Sequence, residues 1–241
     1  MPNPTIVLVH GAWADASSWN PVISDLRARG FTVYAPPNLL RGVTGDAAYV
    51  AAFLAQHTEG PVVLAGHSYG GAVVSGAGLG GGDVRALVYV DAFIPDEGEN
   101  VVGLLAGSGS ALDVPDPTTV LDIVGYPGAP EGDADAYLKA STVRDFFAQD
   151  LSETDQDLIA AGQRPIALAA NVIAAGPPAW QSLPVWSVVG TEDRIIPPAL
   201  QRRMSERAQA TIVETAAGHV SMLAAPDVVT GTIVAAAESL S

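Results

Sequence analysis

A serine sits between two glycines at the end of an apolar run. Pro61-Val62-Val63-Leu64-Ala65 leads directly into Gly66-His67-Ser68-Tyr69-Gly70, and the Ala/Val/Gly stretch Gly71 to Leu79 follows. The β-branched run reads as a buried strand and the stretch after it as a helix. A strand that turns sharply into a helix around one serine holds that residue in a sparsely populated backbone conformation and lifts its hydroxyl to the top of a sheet. Gly66 and Gly70 answer the close passage of neighbouring backbone. The pentapeptide by itself is short enough to arise by chance; its strand–turn–helix setting makes it informative.

The rest of the chain supplies the sheet that such a turn requires. Thr5–Val9, Phe31–Ala35, Pro61–Ala65, Val84–Val90, Val185–Val189 and Ala210–Glu214 are short apolar runs. Between or after them lie helical patterns from Ser17 or Ser18 (as cap) to Arg29 with Gly30 as its stop, from Asp46 (as cap) to His57, from Pro198 to Ala208, and from Pro226 to Leu240. Strands apolar on every residue and separated by helices indicate a mainly parallel sheet of about six strands, covered on both faces: an α/β fold.

One segment interrupts the alternation. Residues 95–183 begin with a stretch rich in Gly, Pro and Asp, and then predict helices at Ala136–Gln149, Glu153–Gln163 and Pro165–Ala175, with Ser152 and Asp155 resembling a capping box. No strand pattern is evident there. We read residues 1–94 and 184–241 as the core and 95–183 as an inserted helical cap.

The formal charge is −15, from 26 acidic and 11 basic residues, which argues against a nucleic-acid partner. Most of it falls between Asp91 and Asp157, where 15 Asp and Glu face only Lys139 and Arg144. A solvated surface explains such a run; the functional alternative is a negative lid that repels anionic substrates. No apolar run reaches the length of a membrane span, and Met1-Pro2-Asn3-Pro4-Thr5 lacks the pattern of a secretory signal, so a cytoplasmic protein is expected. The chain has no cysteine, which removes disulfides, thiolate metal sites and a cysteine nucleophile. No His-x-x-x-His spacing exists, and no metal is expected. Gly76-Ala77-Gly78-Leu79-Gly80-Gly81 matches a dinucleotide fingerprint, but it ends a helix and precedes a strand, the reverse of what that fingerprint needs.

A serine hydroxyl needs a base, and the base needs an oriented partner. Of the four histidines, His219 lies in a loop after the last strand, where open α/β sheets form their crevice. His67 adjoins the serine and points away from it, His10 serves the turn with Gly11, and His57 ends a helix. Asp193, after the Val185 strand, is the preferred acid; Asp91, after the Val84 strand, is its rival, and Glu192 a solvated neighbour. The order Ser68, Asp193, His219 is the order of a known triad type. Two N–H donors for a developing oxyanion are expected from Tyr69 and from Ala12 in the His10–Trp13 turn.

The stretches Leu8–Ala12, Gly66–Gly71, Asp91–Asp96, Gly190–Asp193 and Gly218–Leu223 resemble the α/β-hydrolase superfamily, and more narrowly its small plant-esterase and hydroxynitrile-lyase branch with its bacterial relatives. The resemblance spans nearly the whole chain and is weakest in the cap. It implies a Ser68–Asp193–His219 triad, a helical lid and no cofactor. Lyases of that branch commonly carry a threonine in the first turn and a lysine after the histidine, where this chain has Gly11 and Val220. The expected activity is therefore serine hydrolysis of a small to medium, largely apolar carboxylic ester. Lactone opening, carbon–carbon or cyanohydrin cleavage, and a low-turnover ligand-binding protein are the alternatives. Trp13 is expected at the mouth of an acyl pocket, with Phe146 and Phe147 as further candidates and Trp19, Phe93 and Trp180 as core aromatics. The expected state is monomer or homodimer.

Overall fold

Thr5–Val9 forms β1, with all five residues buried, in a computed structural model that describes residues 3–240. β2 (Val33–Tyr34), β3 (Pro61–His67) and β4 (Asp83–Val90) follow in the core. β5 (Leu121–Val124), β6 (Asp135–Leu138) and β7 (Ile166–Ala167) come next, then β8 (Val185–Gly190) and β9 (Thr211–Thr215). The main sheet has the order β2-β1-β3-β4-β8-β9, and every pairing in it is parallel. Ile6 to Val9, Val62 to Ala65 and Ala86 to Val90 are wholly enclosed. Burying such a Val, Leu or Ile side chain is worth roughly 1.5–3 kcal/mol each. Strand order reverses at β1, so the loops leaving β1 and β3 diverge and open a crevice at the carboxyl ends of the strands.

The helices α1 (Asn20–Ala28), α2 (Val43–His57) and α3 (Tyr69–Ala77) precede the interruption; α7 (Pro198–Arg207), α8 (Ser221–Ala224) and α9 (Pro226–Glu238) follow it, with α4 (Val101–Leu105), α5 (Ala140–Thr142) and α6 (Glu153–Gly162) inside it. A short 3-10 turn, Ala16–Trp19, leads into α1 and is capped by Asp15, whose carboxylate accepts the Ser17 N–H at 2.7 Å. The carboxylate takes the capping place expected of Ser17 or Ser18. Helix α2 begins at Val43, ahead of Asp46, which caps it from inside the first turn by accepting the Arg41 and Gly42 N–H groups. The Gly76–Gly81 run ends α3 against α2; a Cβ on Gly81 would stand 2.6 Å from the Ala51 carbonyl oxygen. Among the described residues no helix is long and apolar enough to cross a membrane.

The inserted segment departs from its helical expectation. Between β4 and β8 it carries a three-stranded antiparallel sheet, β5-β6-β7, with Leu121 opposite Leu138 and Ile123 opposite Ala136. Residues 136–149 are not one helix: β6 occupies the start, then α5 and a π-helical turn, Val143–Phe147. Residues 165–175 hold β7 and a 3-10 turn, Leu168–Asn171, in place of a helix. Alanine-rich composition favours a helix locally, but pairing with strands far off in sequence decides the outcome. Helix α6 does form where expected, and Ser152 Oγ accepts the Asp155 N–H at 3.2 Å.

Candidate active site

Ser68 follows β3 with φ 52° and ψ −124°, a left-handed conformation that an L-residue adopts only when its surroundings enforce it. They do so here. Ser68 N–H donates to the Val90 carbonyl at 3.2 Å, and the Ser68 carbonyl accepts N–H groups from Gly71 and Phe93. A Cβ on Gly66 would meet the Gly70 carbonyl oxygen at 2.5 Å, and one on Gly70 would meet the Val9 carbonyl oxygen at 2.4 Å. Both glycines are therefore steric necessities of the turn. The Tyr69 side chain fastens the start of α3 by donating its hydroxyl to Asp46 at 2.8 Å.

Three side chains from three loops meet above the sheet. Ser68 Oγ lies 2.9 Å from His219 Nε2, and His219 Nδ1 lies 2.7 Å from Asp193 Oδ2. Asp193 Oδ1 accepts the N–H groups of Ile195 (2.7 Å) and Ile196 (2.9 Å), and Oδ2 also accepts from Gln201 Nε2 (2.7 Å). Donors on every side suit an ionised carboxylate, although burial pushes the Asp193 carboxyl upward. An acceptor at Nδ1 puts the imidazole proton there and leaves Nε2 free to accept from the serine hydroxyl. Burial holds the His219 imidazole down to about 3, against the opposing charge of Asp150, so at neutral pH it is an uncharged base.

Asp91, the rival acid, does not reach the imidazole. It is fully buried and accepts the Gly190 N–H (2.8 Å) and the Ser221 N–H (3.0 Å). Burial first, and then the charge of Asp193, push its carboxyl upward. His67 points away from Ser68 and places Nε2 2.8 Å from the His219 carbonyl oxygen. His10 accepts the Asn38 N–H at Nε2 and donates from Nδ1 to the Gly11 carbonyl. His57 closes α2 against the Tyr34 and Phe53 rings.

Ala12 and Tyr69 each keep a backbone N–H with no acceptor among the described residues. Beside them Trp13, at φ 58°, donates its N–H to the Arg164 carbonyl and its indole N–H to the Ala136 carbonyl. Phe147 packs edge-on against Trp13 (6.2 Å between centroids) and His219 (5.2 Å). Phe146 is only half-buried and packs against the core, so the two neighbouring phenylalanines part company. Trp19 meets His67 edge-to-face, and the Trp180 indole donates to the Pro95 carbonyl. A cleft of about 490 Å³ is lined by Trp13 and Phe147, by the apolar Leu151, Leu158, Ile159 and Leu223, and by the polar Asp15, Asn20, Asp155 and Gln163; neither Ser68 nor His219 lines it. Ser68 itself is 2% exposed. Among the described residues no cluster of metal-ligating side chains exists.

A family model described as "Alpha/beta hydrolase family" matches residues 6–232. The chain belongs to this family. Among solved structures, polyneuridine aldehyde esterase superposes with a TM-score of 0.79 at 21% identity, covering 97% of this chain and 98% of that one. An extracellular alpha/beta-hydrolase from a Paenibacillus species gives 0.76 at 21% identity, over 97% and 99% of the two chains. A pyrethroid hydrolase from Sphingobium faniae gives 0.75 at 21%, over 98% of each. At identities this low, the superpositions show a shared α/β-hydrolase fold over nearly the whole chain and no more. No curated protein matches the sequence.

Some residues of this hydrolase site escaped sequence reasoning. Gln201 supports Asp193 from α7; its signal was a polar side chain on the same buried face as Leu200 and Met204, where a buried amide requires a partner. The contacts of Gln149, Asp150 and Asp91 have no signature in the local sequence.

Proposed function

We propose that this protein is a serine esterase working through an acyl-enzyme intermediate. The observation that carries the reading is the unbroken hydrogen-bonded chain from Ser68 Oγ through His219 to Asp193. Ser68 attacks an ester carbonyl while His219 takes its proton, and Asp193 holds the imidazole and stabilises its charged form. The free N–H groups of Ala12 and Tyr69 receive the oxyanion; a donor of this kind is worth about 3–4 kcal/mol in the transition state. An alcohol leaves, protonated by His219, and water activated by the same imidazole releases the acid.

Residues 95–183 act as a cap in this scheme. Trp13 and Phe147 border the neighbouring cleft, and Phe147 packs against His219, so these two rings beside the nucleophile favour a small to medium, largely apolar acyl group. The esterase and hydrolase names of the structural neighbours support ester cleavage in general. Hydrolysis is favoured over cyanohydrin cleavage by two positions. The residue after His219 is the buried, apolar Val220, which offers no cation to a departing cyanide. A Cβ on Gly11 would stand 2.7 Å from the Ser68 Cβ, so this turn has no room for a side chain there.

Turnover of p-nitrophenyl esters, methyl aryl esters, lactones and a matched cyanohydrin, with product analysis, tests the proposal. Ester cleavage with release of acid and alcohol is expected. Cyanohydrin cleavage without ester turnover would refute it.

A further inference from the structure

The loop that carries His219 is joined to the Asp193 loop by Glu192 N–H, which donates to the Ala217 carbonyl at 3.0 Å, and is held at three further points. The His219 carbonyl accepts from His67, and Ser221 N–H donates to Asp91; both partners belong to the main sheet or its rim. The third tie comes from elsewhere. Gly218 N–H donates to Asp150 Oδ2 at 2.6 Å, and Asp150 lies in the segment between β4 and β8. The preceding residue, Gln149, donates Nε2–H to the Glu192 carbonyl at 3.0 Å, one residue before Asp193. A single corner thus bonds the loop of the base and the loop of the acid. It begins two residues after Phe147, whose ring packs against His219. Gly218 is shaped to receive it, since a Cβ there would stand 2.6 Å from Gln149 Nε2 and 2.8 Å from Asp150 Oδ1. The corner is firm in its own right: Gln156 Nε2 donates to the Ala148 and Leu151 carbonyls, both at 3.1 Å.

We propose that Gln149 and Asp150 are positioning residues for the His219–Asp193 pair, through which the seating of the inserted segment sets the reactivity of Ser68. With the corner in place, both loops are fixed and the imidazole sits at hydrogen-bonding distance from the hydroxyl. With the corner displaced, each loop loses one tether and the serine loses part of its activation. This inference rests on the serine-esterase reading and extends it to how that site is switched on.

The rate at which a small fluorophosphonate labels Ser68 tests it without any assumption about substrate. Asp150→Ala removes the acceptor for Gly218 N–H, whereas Asp150→Asn keeps an oxygen there. Asp150→Ala is expected to label about tenfold more slowly, the effect of losing one charge-assisted hydrogen bond. Asp150→Asn should recover most of the rate. Glu131→Gln, which neutralises an exposed carboxylate elsewhere in the segment, should match the parent. With an ester substrate the loss in Asp150→Ala should fall on kcat rather than KM. Labelling of Asp150→Ala at the parent rate, or of Asp150→Asn as slowly as Asp150→Ala, overturns the inference. Should Asp150→Ala fail to fold, Gln149→Ala is expected to label about three- to tenfold more slowly, the effect of losing one neutral hydrogen bond, and labelling at the parent rate overturns the inference. A parent that takes up no label sinks the esterase reading and this inference together.

Discussion

The central strands β1, β3 and β4 and the segment between β4 and β8 are built on opposite terms. The strands are parallel, five to eight residues long and apolar almost throughout. The segment is a patchwork of two- to four-residue strands and short turns, with Val124 50% and Leu158 65% exposed. Ser68, Asp193 and His219 all stand on loops of the main sheet, and the segment reaches them through side chains and single backbone groups: Ala136, Phe147 and Arg164 on Trp13, Phe147 on His219, Gln149 on Glu192, Asp150 on Gly218 and Ser110 on Ile195. On the proposed esterase reading, bond-making falls to the main sheet and access to the inserted segment. Such a division lets selectivity change without disturbing the reactive groups.

The hardest blow to that division is aimed at the main sheet. Ser68→Ala should lower kcat by about 10⁴–10⁶ with no loss of thermal stability. Turnover near the parent level would move the chemistry elsewhere. Next in size is the separation of the two buried carboxylates. Asp193→Asn should cost about 10⁴ in kcat, because an amide no longer enforces the required imidazole tautomer. Asp91→Asn should act chiefly on stability, by about 1–3 kcal/mol in denaturant unfolding, since each of its oxygens receives a backbone N–H and an amide can accept at only one. The reverse ranking in kcat would make Asp91 the acid.

Packing offers a smaller test of the same contrast. Leu64→Ala, in the middle of β3, should cost about 2–5 kcal/mol in unfolding free energy. Leu158→Ala, on the exposed side of α6, should stay within about 0.5 kcal/mol. Comparable losses at both positions would mean that the inserted segment is as tightly integrated as the sheet. The mildest test is a pH profile. Burial lowers the His219 pKa below the ordinary 6.5, so its neutral, active form persists as pH falls, and kcat/KM should drop only as pH descends through the folded-state value. The acid limb should therefore lie below pH 6.5; a limb above 7 would mean that the imidazole is better solvated than its enclosure implies.

The same contrast governs what could be read from the amino-acid order. Thr5–Val9 is a strand with the boundaries its residues announce, because a run of β-branched residues enclosed on both faces carries its own signal. Ser68, Asp193 and His219 could be picked out because the pentapeptide and the loops after strands are local patterns. Asp135–Leu138 was not legible as a strand, since its partners, Leu121–Val124 and Ile166–Ala167, are distant in sequence and themselves unremarkable. Phe147 and Phe146 show the same limit within two adjacent residues. Which of them turns toward His219 is set by the π-helical turn Val143–Phe147, and the composition of that turn does not disclose it.

The left-handed backbone at Ser68 has a consequence for any effort to make the protein hardier. A residue held in that well gives up about 1–3 kcal/mol against its relaxed alternatives. Glycine, free to occupy the well, would relieve that tension while removing the hydroxyl. Selection for resilience alone would thus drift toward a sturdier, inert protein, and breeding a robust catalyst from this scaffold requires screening for turnover at every round.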